Sequence, residues 1–208
     1  MAPHTVIFDL DGTLLDSIPD LAAAANAARA TLGLAPLPAE AVEAGVGWGL
    51  GHLLRHVLPP DAHEQLPALR AAFIAAYQQA PMARGGLYPG AEALVAAWPR
   101  TRLGLVTNKP RMFLDPILTH LGWGVRFGAV VAGDDLPERK PDPAPLRAAM
   151  RALGVVPGQV LFVGDSEVDA ETARRAGVEF AAVPWGRVAP TAARVLASLH
   201  DLRPAVSG

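Results

Sequence analysis

Two aspartates, Asp9 and Asp11, follow the first short apolar run of the chain, residues 5–8. If that run is a strand, its side chains alternate between faces, so the two carboxylates point the same way while Leu10 turns back into the core. Paired acids beside a buried strand are unfavourable unless a cation or a proton lies between them. The pair therefore indicates metal-assisted or acid-base chemistry, although aspartate and glycine at a strand end are also ordinary turn formers.

Other polar residues also come shortly after apolar runs. Thr107 follows the run 103–106, and Asp165 comes just after the run 160–163. Parallel strands bring their carboxyl ends to one edge of the sheet, which is where doubly wound folds bind ligands. We therefore expect Thr107 and Asp165 to lie close to the aspartate pair.

The residue types at this edge favour phosphoryl chemistry. Asp9, Asp11 and Asp165 offer hard oxygen ligands suited to Mg²⁺, without the histidine or cysteine typical of zinc sites. Of the 18 basic residues only Lys109 and Lys140 are lysine, which indicates positions where a compact charge is needed. A solvated helix start is an equally good interpretation of Lys109. A cation site, a lysine, a hydroxyl and a nucleophilic carboxylate together suit phosphoryl transfer.

The pattern of apolar runs predicts an α/β fold. Runs without alternation are typical of strands buried on both faces, and they occur at residues 6–8, 103–106, 129–132, 160–163 and 180–183. Helix-like segments, several starting at proline and ending before glycine, lie at residues 110–121, 143–153, 167–176 and 191–199. This alternation predicts a doubly wound parallel sheet, a Rossmann-like core.

Residues 16–86 have a different pattern. They contain helical segments near residues 17–33, 38–44, 50–58 and 62–80, with no convincing strand. Pro67 could break the last of these helices. We expect an inserted helical cap at 16–86 and a core formed by residues 1–15 and 87–208.

Composition excludes several classes of function. The net charge of −2 and the scattered basic residues give no sign of a nucleic-acid partner. The absence of cysteine excludes disulfides, thiolate metal sites and cysteine nucleophiles. We see no signal peptide and no membrane span, so we expect a cytoplasmic protein whose partner is a small phosphorylated metabolite. The sequence does not indicate the oligomeric state.

Four short motifs resemble those of the haloacid dehalogenase superfamily of phosphohydrolases, and they span nearly the whole chain. They are Phe-Asp-Leu-Asp-Gly-Thr-Leu at 8–14, Thr-Asn at 107–108, Lys140, and Gly-Asp-Ser-Glu-Val-Asp at 164–169. Within that superfamily, the sequences of four segments are similar to those of phosphoglycolate phosphatases: residues 88–90, 106–110, 137–145 and 161–166.

The resemblance implies a role for each catalytic residue. Asp9 would attack phosphorus and form an aspartyl-phosphate, which splits hydrolysis into two easier steps. Asp11 would protonate the departing alkoxide and then take a proton from water. Thr107 and the backbone N–H of Asn108 would hold a phosphoryl oxygen, while Lys140 would offset the repulsion between two anions.

The resemblance also implies a metal site and its supporting residues. Asp165 would bind Mg²⁺ together with the Asp9 carboxylate and the backbone carbonyl of Asp11. Asp169, with Ser166 beside it, would support the catalytic lysine or a metal-bound water, or would be a simple helix residue.

Outside the four motifs, the sequence gives weaker indications of residues that contact the substrate. The glycine-rich segment 45–51 could place backbone N–H groups of Gly47 and the ring of Trp48 against the substrate, and Lys109 could also touch it. The same segment is also compatible with a flexible helix connection. Trp185 could rim the site, although packing is the commoner role for such a residue.

The leading hypothesis is a Mg²⁺-dependent phosphomonoesterase that hydrolyses 2-phosphoglycolate. Alternatives are a related phosphatase or phosphomutase acting on sugar phosphates or pyrophosphate. A non-catalytic phosphorylation switch is disfavoured, because receiver domains lack a helical cap and carry their paired acids and their phosphorylated aspartate on different strands. A dehalogenase is disfavoured because cleaving a carbon-halogen bond does not need the Asp11 carboxylate or a metal.

Overall fold

The computed structural model describes residues 4–187 and 194–204, which fall into two compact units. The first unit combines the chain up to Leu15 with the chain from Leu87 onward, and the second is Asp16–Gly86. The helices and strands in chain order are β1 (Thr5–Phe8), β2 (Leu15–Asp16), α1 (Ile18–Thr31), α2 (Ala39–Glu43), α3 (Leu50–His56), α4 (Leu66–Gln79), β3 (Gly86–Leu87), α5 (Ala91–Ala97), β4 (Leu103–Val106), α6 (Arg111–His120), β5 (Ala129–Val131), α7 (Ala144–Leu153), β6 (Val160–Gly164), α8 (Glu167–Ala176), β7 (Glu179–Ala182) and β8 (Arg194–Val195).

The first unit is an α/β fold around a parallel sheet, as the sequence predicts. Within the described residues the sheet has six strands in the order β5-β4-β1-β6-β7-β8, and β1 lies near its centre. Phe8 is in register with Leu105 on one side and Val163 on the other, so these strands end at nearly the same level. The residues that follow β1, β4 and β6 therefore emerge together at one edge.

Apolar side chains on one face of the sheet pack against α7 and α8. The cluster includes Ile7, Val106 and Phe162 from the strands, Leu146 from α7 and Ala173 from α8. Burial of a large apolar side chain of this kind contributes roughly 1.5–3 kcal/mol to folding. The core thus fixes the strands whose ends carry the polar motifs.

All five predicted strands are present, but the predicted helix at 191–199 is wrong for the part that the structure describes. Residues 194–195 form β8, which pairs in parallel with β7, and Leu199–Asp201 form a short 3₁₀ turn. Residues 191–193 lie outside the described part of the chain. Alanine and leucine favour a helix locally, but the hydrogen-bonding edge of β7 outweighs that preference.

The second unit consists of α1 to α4 and their connections. The carboxylate of Asp20 accepts hydrogen bonds from the N–H groups of Arg84 at 2.9 Å and Gly85 at 2.8 Å, which ties the end of the unit to α1. Buried Arg29 donates to the carbonyl of Ala35 at 2.9 and 2.7 Å and also to that of Val57. These bonds satisfy carbonyl groups of the connecting loops.

Pro67 does not break the last helix of this unit, contrary to one expectation. It lies in the first turn of α4, where its missing N–H would have no partner within the helix. The residues before it, Pro60–Gln65, form a 3₁₀ helix. In the described ranges, every helix is too short or too polar to cross a membrane.

Candidate active site

The loop after β1 brings its backbone against the Asp165 carboxylate. Gly12 has a φ of 80°, and a Cβ atom there would lie 2.5 Å from Asp165 Oδ2, so a larger residue would clash as well as strain the turn. Thr13 Oγ1 donates to Asp165 Oδ1 at 3.2 Å, and Trp185 Nε1 donates to the Gly12 carbonyl at 3.0 Å. The segments that follow β1, β6 and β7 therefore meet at one edge of the sheet.

Lys140 lies at the centre of a buried ion cluster. Its Nζ is 2.7 Å from Asp169 Oδ1 and 2.9 Å from Asp9 Oδ1, and its side chain is only 1% exposed. Burial by itself would lower the pKa of Lys140, but the negative charges of Asp169 and Asp9 raise it above its ordinary value. The lysine is therefore a fixed positive charge next to two carboxylates.

Two carboxylates at this edge have raised pKa values. Burial raises the pKa of Asp9 to about 8, because the Lys140 ammonium offsets only part of the effect and both Asp169 and Asp165 add negative charge. Burial also raises the pKa of Asp165 to about 6, although Arg187 and Lys140 lower it. Ionisation of either carboxyl group is therefore unfavourable in the absence of a further cation, and a bound cation would favour it.

The side chains present fit a divalent cation. Carboxylate oxygens of Asp9, Asp165 and Asp169 lie within 4.8 Å of one another. Asp9 Oδ1 is buried and, within the described residues, accepts no well-aligned hydrogen bond, although Lys140 Nζ is 2.9 Å away. Three hard oxygen donors and an under-satisfied carboxylate suit Mg²⁺. The Asp11 carboxylate is outside this group, and the expected ligand from Asp11, its backbone carbonyl, stays a prediction.

Asp169 is fixed by the start of α8. Ser166 Oγ donates to Asp169 Oδ2 at 2.6 Å, and the Ser166 N–H donates to the same oxygen at 3.2 Å, in the arrangement of a capping box. A Cβ atom at Gly164 would lie 2.4 Å from Asp169 Cβ, so glycine allows this close approach. With Oδ2 held in this way, Oδ1 is directed to Lys140.

The loop after β4 also holds the lysine. Asn108 Nδ2 donates to the Lys140 carbonyl at 2.8 Å, and the Lys140 N–H donates to Asn108 Oδ1 at 3.0 Å. The Asn108 side chain thus clamps the backbone of Lys140. The family resemblance implied a role only for the backbone N–H of Asn108, as a donor to the phosphoryl group. Thr107 Oγ1 accepts a hydrogen bond from the Lys109 N–H at 3.1 Å.

Lys109 and Asp11 form a second ion pair. Lys109 Nζ donates to Asp11 Oδ1 at 2.8 Å and to Asp11 Oδ2 at 3.0 Å. The Lys109 side chain is 3% exposed and that of Asp11 is 14% exposed. The interpretation of Lys109 as a solvated helix start is therefore wrong, because its ammonium is buried against a carboxylate.

Sequence reasoning gave no role to three further residues at this edge. Arg187 Nη2 lies 3.2 Å from Asp165 Oδ2, Thr13 bonds to the same carboxylate, and Tyr88 stacks on Trp185 with ring centroids 4.4 Å apart. Trp185 therefore both packs and contacts the loop after β1. Arg187 resembles any other exposed arginine in the sequence, so no local signal marks it.

The two cap residues expected to bind substrate lie in the second unit. Trp48 is 45% exposed in the loop between α2 and α3, and its ring centroid is 5.9 Å from that of His52. Gly47 has a φ of 103°, which requires glycine. A role in substrate binding stays a prediction for both residues.

Comparison with known proteins connects this geometry to one family. The family model described as haloacid dehalogenase-like hydrolase matches residues 6–183. The phosphoglycolate phosphatase of Cereibacter sphaeroides is 46% identical over 186 residues, covering 85% of this chain and 83% of the relative. The N-acetylmuramic acid 6-phosphate phosphatase of Pseudomonas aeruginosa is 40% identical over 194 residues, covering 91% and 85%.

Solved structures give the same result for the fold. A crystal structure described as a predicted phosphoglycolate phosphatase from Haemophilus somnus superimposes with a TM-score of 0.87. The two sequences are 29% identical, and the alignment covers 96% of each chain. The fold of this chain is therefore shared with this neighbour.

Proposed function

Since this chain belongs to the haloacid dehalogenase-like hydrolase family and is a phosphatase, we propose that it is a magnesium-dependent phosphomonoesterase whose preferred substrate is 2-phosphoglycolate. The observation that carries the proposal is the buried cluster in which Lys140 bridges Asp9 and Asp169. A fixed positive charge thus lies beside Asp9, the carboxylate that would meet the phosphate. Relatives named phosphoglycolate phosphatase at 46% identity support the choice of substrate.

In the proposed reaction Asp9 is the nucleophile and Asp11 moves the protons. A carboxylate oxygen of Asp9 forms a bond to phosphorus while the ester bond to the glycolate oxygen breaks, and Asp11 donates a proton to that oxygen. Water then attacks the aspartyl-phosphate, the bond between Asp9 and phosphorus breaks, and Asp11 accepts the proton from water. Phosphate and glycolate are the products.

The approach of an anionic substrate to Asp9 requires compensating charge. Lys140 supplies it next to the nucleophile, and its position is fixed by the Asn108 clamp and by Asp169. Thr107 and the backbone N–H of Asn108 would hold a phosphoryl oxygen. Groups that are fixed before the substrate arrives need no reorganisation during the reaction, which is the main source of electrostatic catalysis.

We propose that the carboxylates of Asp9 and Asp165 and the backbone carbonyl of Asp11 hold Mg²⁺. When bound, the ion would draw negative charge from the phosphoryl group and favour the ionised form of Asp9. Asp169 and Ser166 would support this site without binding the ion, because both oxygens of Asp169 already accept hydrogen bonds from Lys140 and Ser166.

The second unit is proposed as a cap that supplies contacts to the organic part of the substrate. Gly47 and Trp48 would line that side, and Lys109 would lie near the substrate as well. We further propose a small cytoplasmic metabolite as the natural partner, since a protein with this net charge and composition has no evident surface for nucleic acid.

A substrate panel with the purified protein tests this proposal. With MgCl₂ present, kcat/KM for 2-phosphoglycolate should exceed that for glucose 6-phosphate and pyrophosphate by about 10-fold or more, since discrimination is a ratio of kcat/KM values. Addition of EDTA should stop the reaction, and excess MgCl₂ should restore it. Full activity in EDTA would contradict the metal assignment.

A second candidate substrate follows from the Pseudomonas aeruginosa relative that is 40% identical. The panel therefore includes N-acetylmuramic acid 6-phosphate, and a higher kcat/KM for this compound would replace phosphoglycolate as the substrate. A phosphomutase would instead transfer its phosphoryl group to a sugar phosphate faster than to water. Radiolabelled phosphoenzyme chased with each acceptor distinguishes these two activities.

A further inference from the structure

The chain has only two lysines, and each is paired with one aspartate of the first motif. Lys140 Nζ lies 2.9 Å from Asp9 Oδ1, while Lys109 Nζ donates to the two carboxylate oxygens of Asp11 at 2.8 and 3.0 Å. The first pair contains the proposed nucleophile, Asp9. The second pair contains Asp11, the residue proposed to move protons, and contact of Lys109 with substrate would not explain this pairing.

The pair of Lys109 and Asp11 is largely withdrawn from water. Their side chains are 3% and 14% exposed, so little solvent screens the attraction between them. An ammonium that contacts both oxygens also restrains rotation of the carboxylate group. The contact therefore sets the direction in which Asp11 points.

The backbone of Lys109 is itself fixed from two sides. Its N–H donates to Thr107 Oγ1 at 3.1 Å, and its carbonyl accepts from the Gly133 N–H at 2.9 Å. A Cβ atom at Gly133 would lie 2.2 Å from the Asn108 carbonyl oxygen, so the loops after β4 and β5 are in close contact. The lysine side chain thus extends from a rigid point.

Asp11 has less support from its own backbone than Asp9 has. Asp9 follows β1 directly, and its N–H continues the sheet hydrogen bonds by donating to the Val163 carbonyl at 2.9 Å. Asp11 lies in the turn beyond, where it forms a single bridge with Leu15. An external group is needed to orient its side chain, and Lys109 is in the position to do so.

We propose that Lys109 is a positioning residue that holds the Asp11 carboxylate for both proton transfers, an inference that rests on the proposed function. The loop 107–109 then has three tasks. Thr107 contacts the phosphoryl group, Asn108 clamps Lys140, and Lys109 orients Asp11. Binding of the phosphate and transfer of the proton are thereby controlled by one rigid segment.

The probe p-nitrophenyl phosphate separates the two steps. In the first step a bond forms between Asp9 and phosphorus, the bond from phosphorus to the aryl oxygen breaks, and nitrophenolate leaves with the electron pair, without a proton from Asp11. In the second step the oxygen of water bonds to phosphorus and the bond to Asp9 breaks. The proton of that water goes to Asp11, so only the second step depends on its orientation.

Lys109→Met should therefore give a burst of about one nitrophenolate per active site, because phosphoenzyme forms normally but is hydrolysed slowly. Steady-state kcat should fall about 10- to 100-fold, which is at or below the lower end of what general acid-base catalysis contributes, because Asp11 itself is retained. Lys109→Arg should recover much of the lost rate, since a guanidinium can also contact both oxygens. Rapid-quench kinetics with MgCl₂ measures both phases.

Arg111→Met is a matched control, because it removes a nearby cation whose partners Asp115 and Asp135 are more exposed. It should show wild-type turnover and no burst. Lys109→Gln serves as a second test variant, and a thermal melt of each variant verifies that it is folded.

Two results would overturn the inference. One is a folded Lys109→Met or Lys109→Gln variant that hydrolyses the phosphoenzyme at the wild-type rate. The other is a variant in which only KM for 2-phosphoglycolate rises, since Lys109 would then be a ligand of the substrate carboxylate. If the wild-type enzyme forms no phosphoenzyme from the probe, the proposed function fails first, and this inference fails with it.

Discussion

Two of the acidic residues of helix α8, Asp169 and Glu171, have opposite surroundings. Asp169 is fully buried, and its carboxylate is shared between Lys140 and Ser166. Glu171 lies on the outer face, where hydrogen bonds from Arg174 and Arg175 lower its pKa to about 2. Both carboxylates have two close partners, but only Asp169 belongs to the candidate active site.

Burial of an ion pair determines its contribution to stability and activity more than the distance between its atoms does. The Glu171 contacts are as short as 2.6 Å, the Asp169 contact to lysine is 2.7 Å, and the arginine side chains are 72% and 45% exposed. Water and salt screen the outer pairs, while removing one member of a buried pair leaves an uncompensated charge. Substitutions at four positions test this contrast, and they are given in order of decreasing predicted effect.

Replacement of the nucleophile should have the largest effect on activity. Asp9→Asn should lower kcat by roughly 10⁴-fold or more, as expected for loss of a covalent nucleophile. It should also lower the free energy of unfolding in metal-free buffer, but by less than Asp169→Asn does. Lys140 loses one of its two buried carboxylate partners, while relief of the repulsion from Asp169 and Asp165 offsets part of that loss. Phosphate release and urea unfolding measure the two quantities, and wild-type turnover would contradict the nucleophile assignment.

Removal of the buried charge on α8 should affect both activity and stability. Asp169→Asn should lower kcat about 10- to 100-fold and destabilise the protein by about 3 kcal/mol, because Lys140 loses one of its two carboxylate partners. Steady-state kinetics and urea unfolding give both values. A variant with wild-type kcat and stability would show that Asp9 alone is sufficient to hold the lysine.

Loss of the Asn108 clamp should have an intermediate effect. Asn108→Ala removes two hydrogen bonds to the backbone of Lys140 and should lower kcat about 10-fold, with a loss of stability of about 1–3 kcal/mol for the unsatisfied groups. Asn108→Asp keeps the acceptor for the Lys140 N–H but places a buried carboxylate oxygen against the Lys140 carbonyl, so it should lose at least as much stability in urea. Wild-type stability in both variants would contradict the clamp.

Neutralisation of the outer carboxylate should have the smallest effect. Glu171→Gln should leave kcat unchanged and shift the melting temperature by no more than the error of the measurement, because exposed ion pairs contribute little. Melting scans at low and high salt provide the control, since any residual contribution should vanish at high salt. A loss of activity comparable with that of Asp169→Asn would remove the distinction between the two faces of α8.

Local patterns in the sequence are sufficient to predict the fold class and the sheet edge at which the candidate site lies. Apolar runs and the glycines that end helices, such as Gly154 and Gly177, are local signals, so they predict strands and helices without knowledge of distant contacts. The parallel arrangement then requires the strand ends to meet, which brings Asp9 and Asp165 to one edge. The helix predicted at 191–199 is wrong over the described residues 194–199, which shows the limit of local signals.

The pairing of the charged groups, in contrast, depends on packing between distant parts of the chain. Lys109 and Asp11 are 98 residues apart, and Asn108 and Lys140 are 32 apart, so no local pattern joins them. Burial likewise depends on how layers pack, and it makes Lys109 an internal cation although a solvated helix start fitted the sequence equally well. The residue types predicted the chemistry, but three-dimensional packing assigned each lysine to its aspartate.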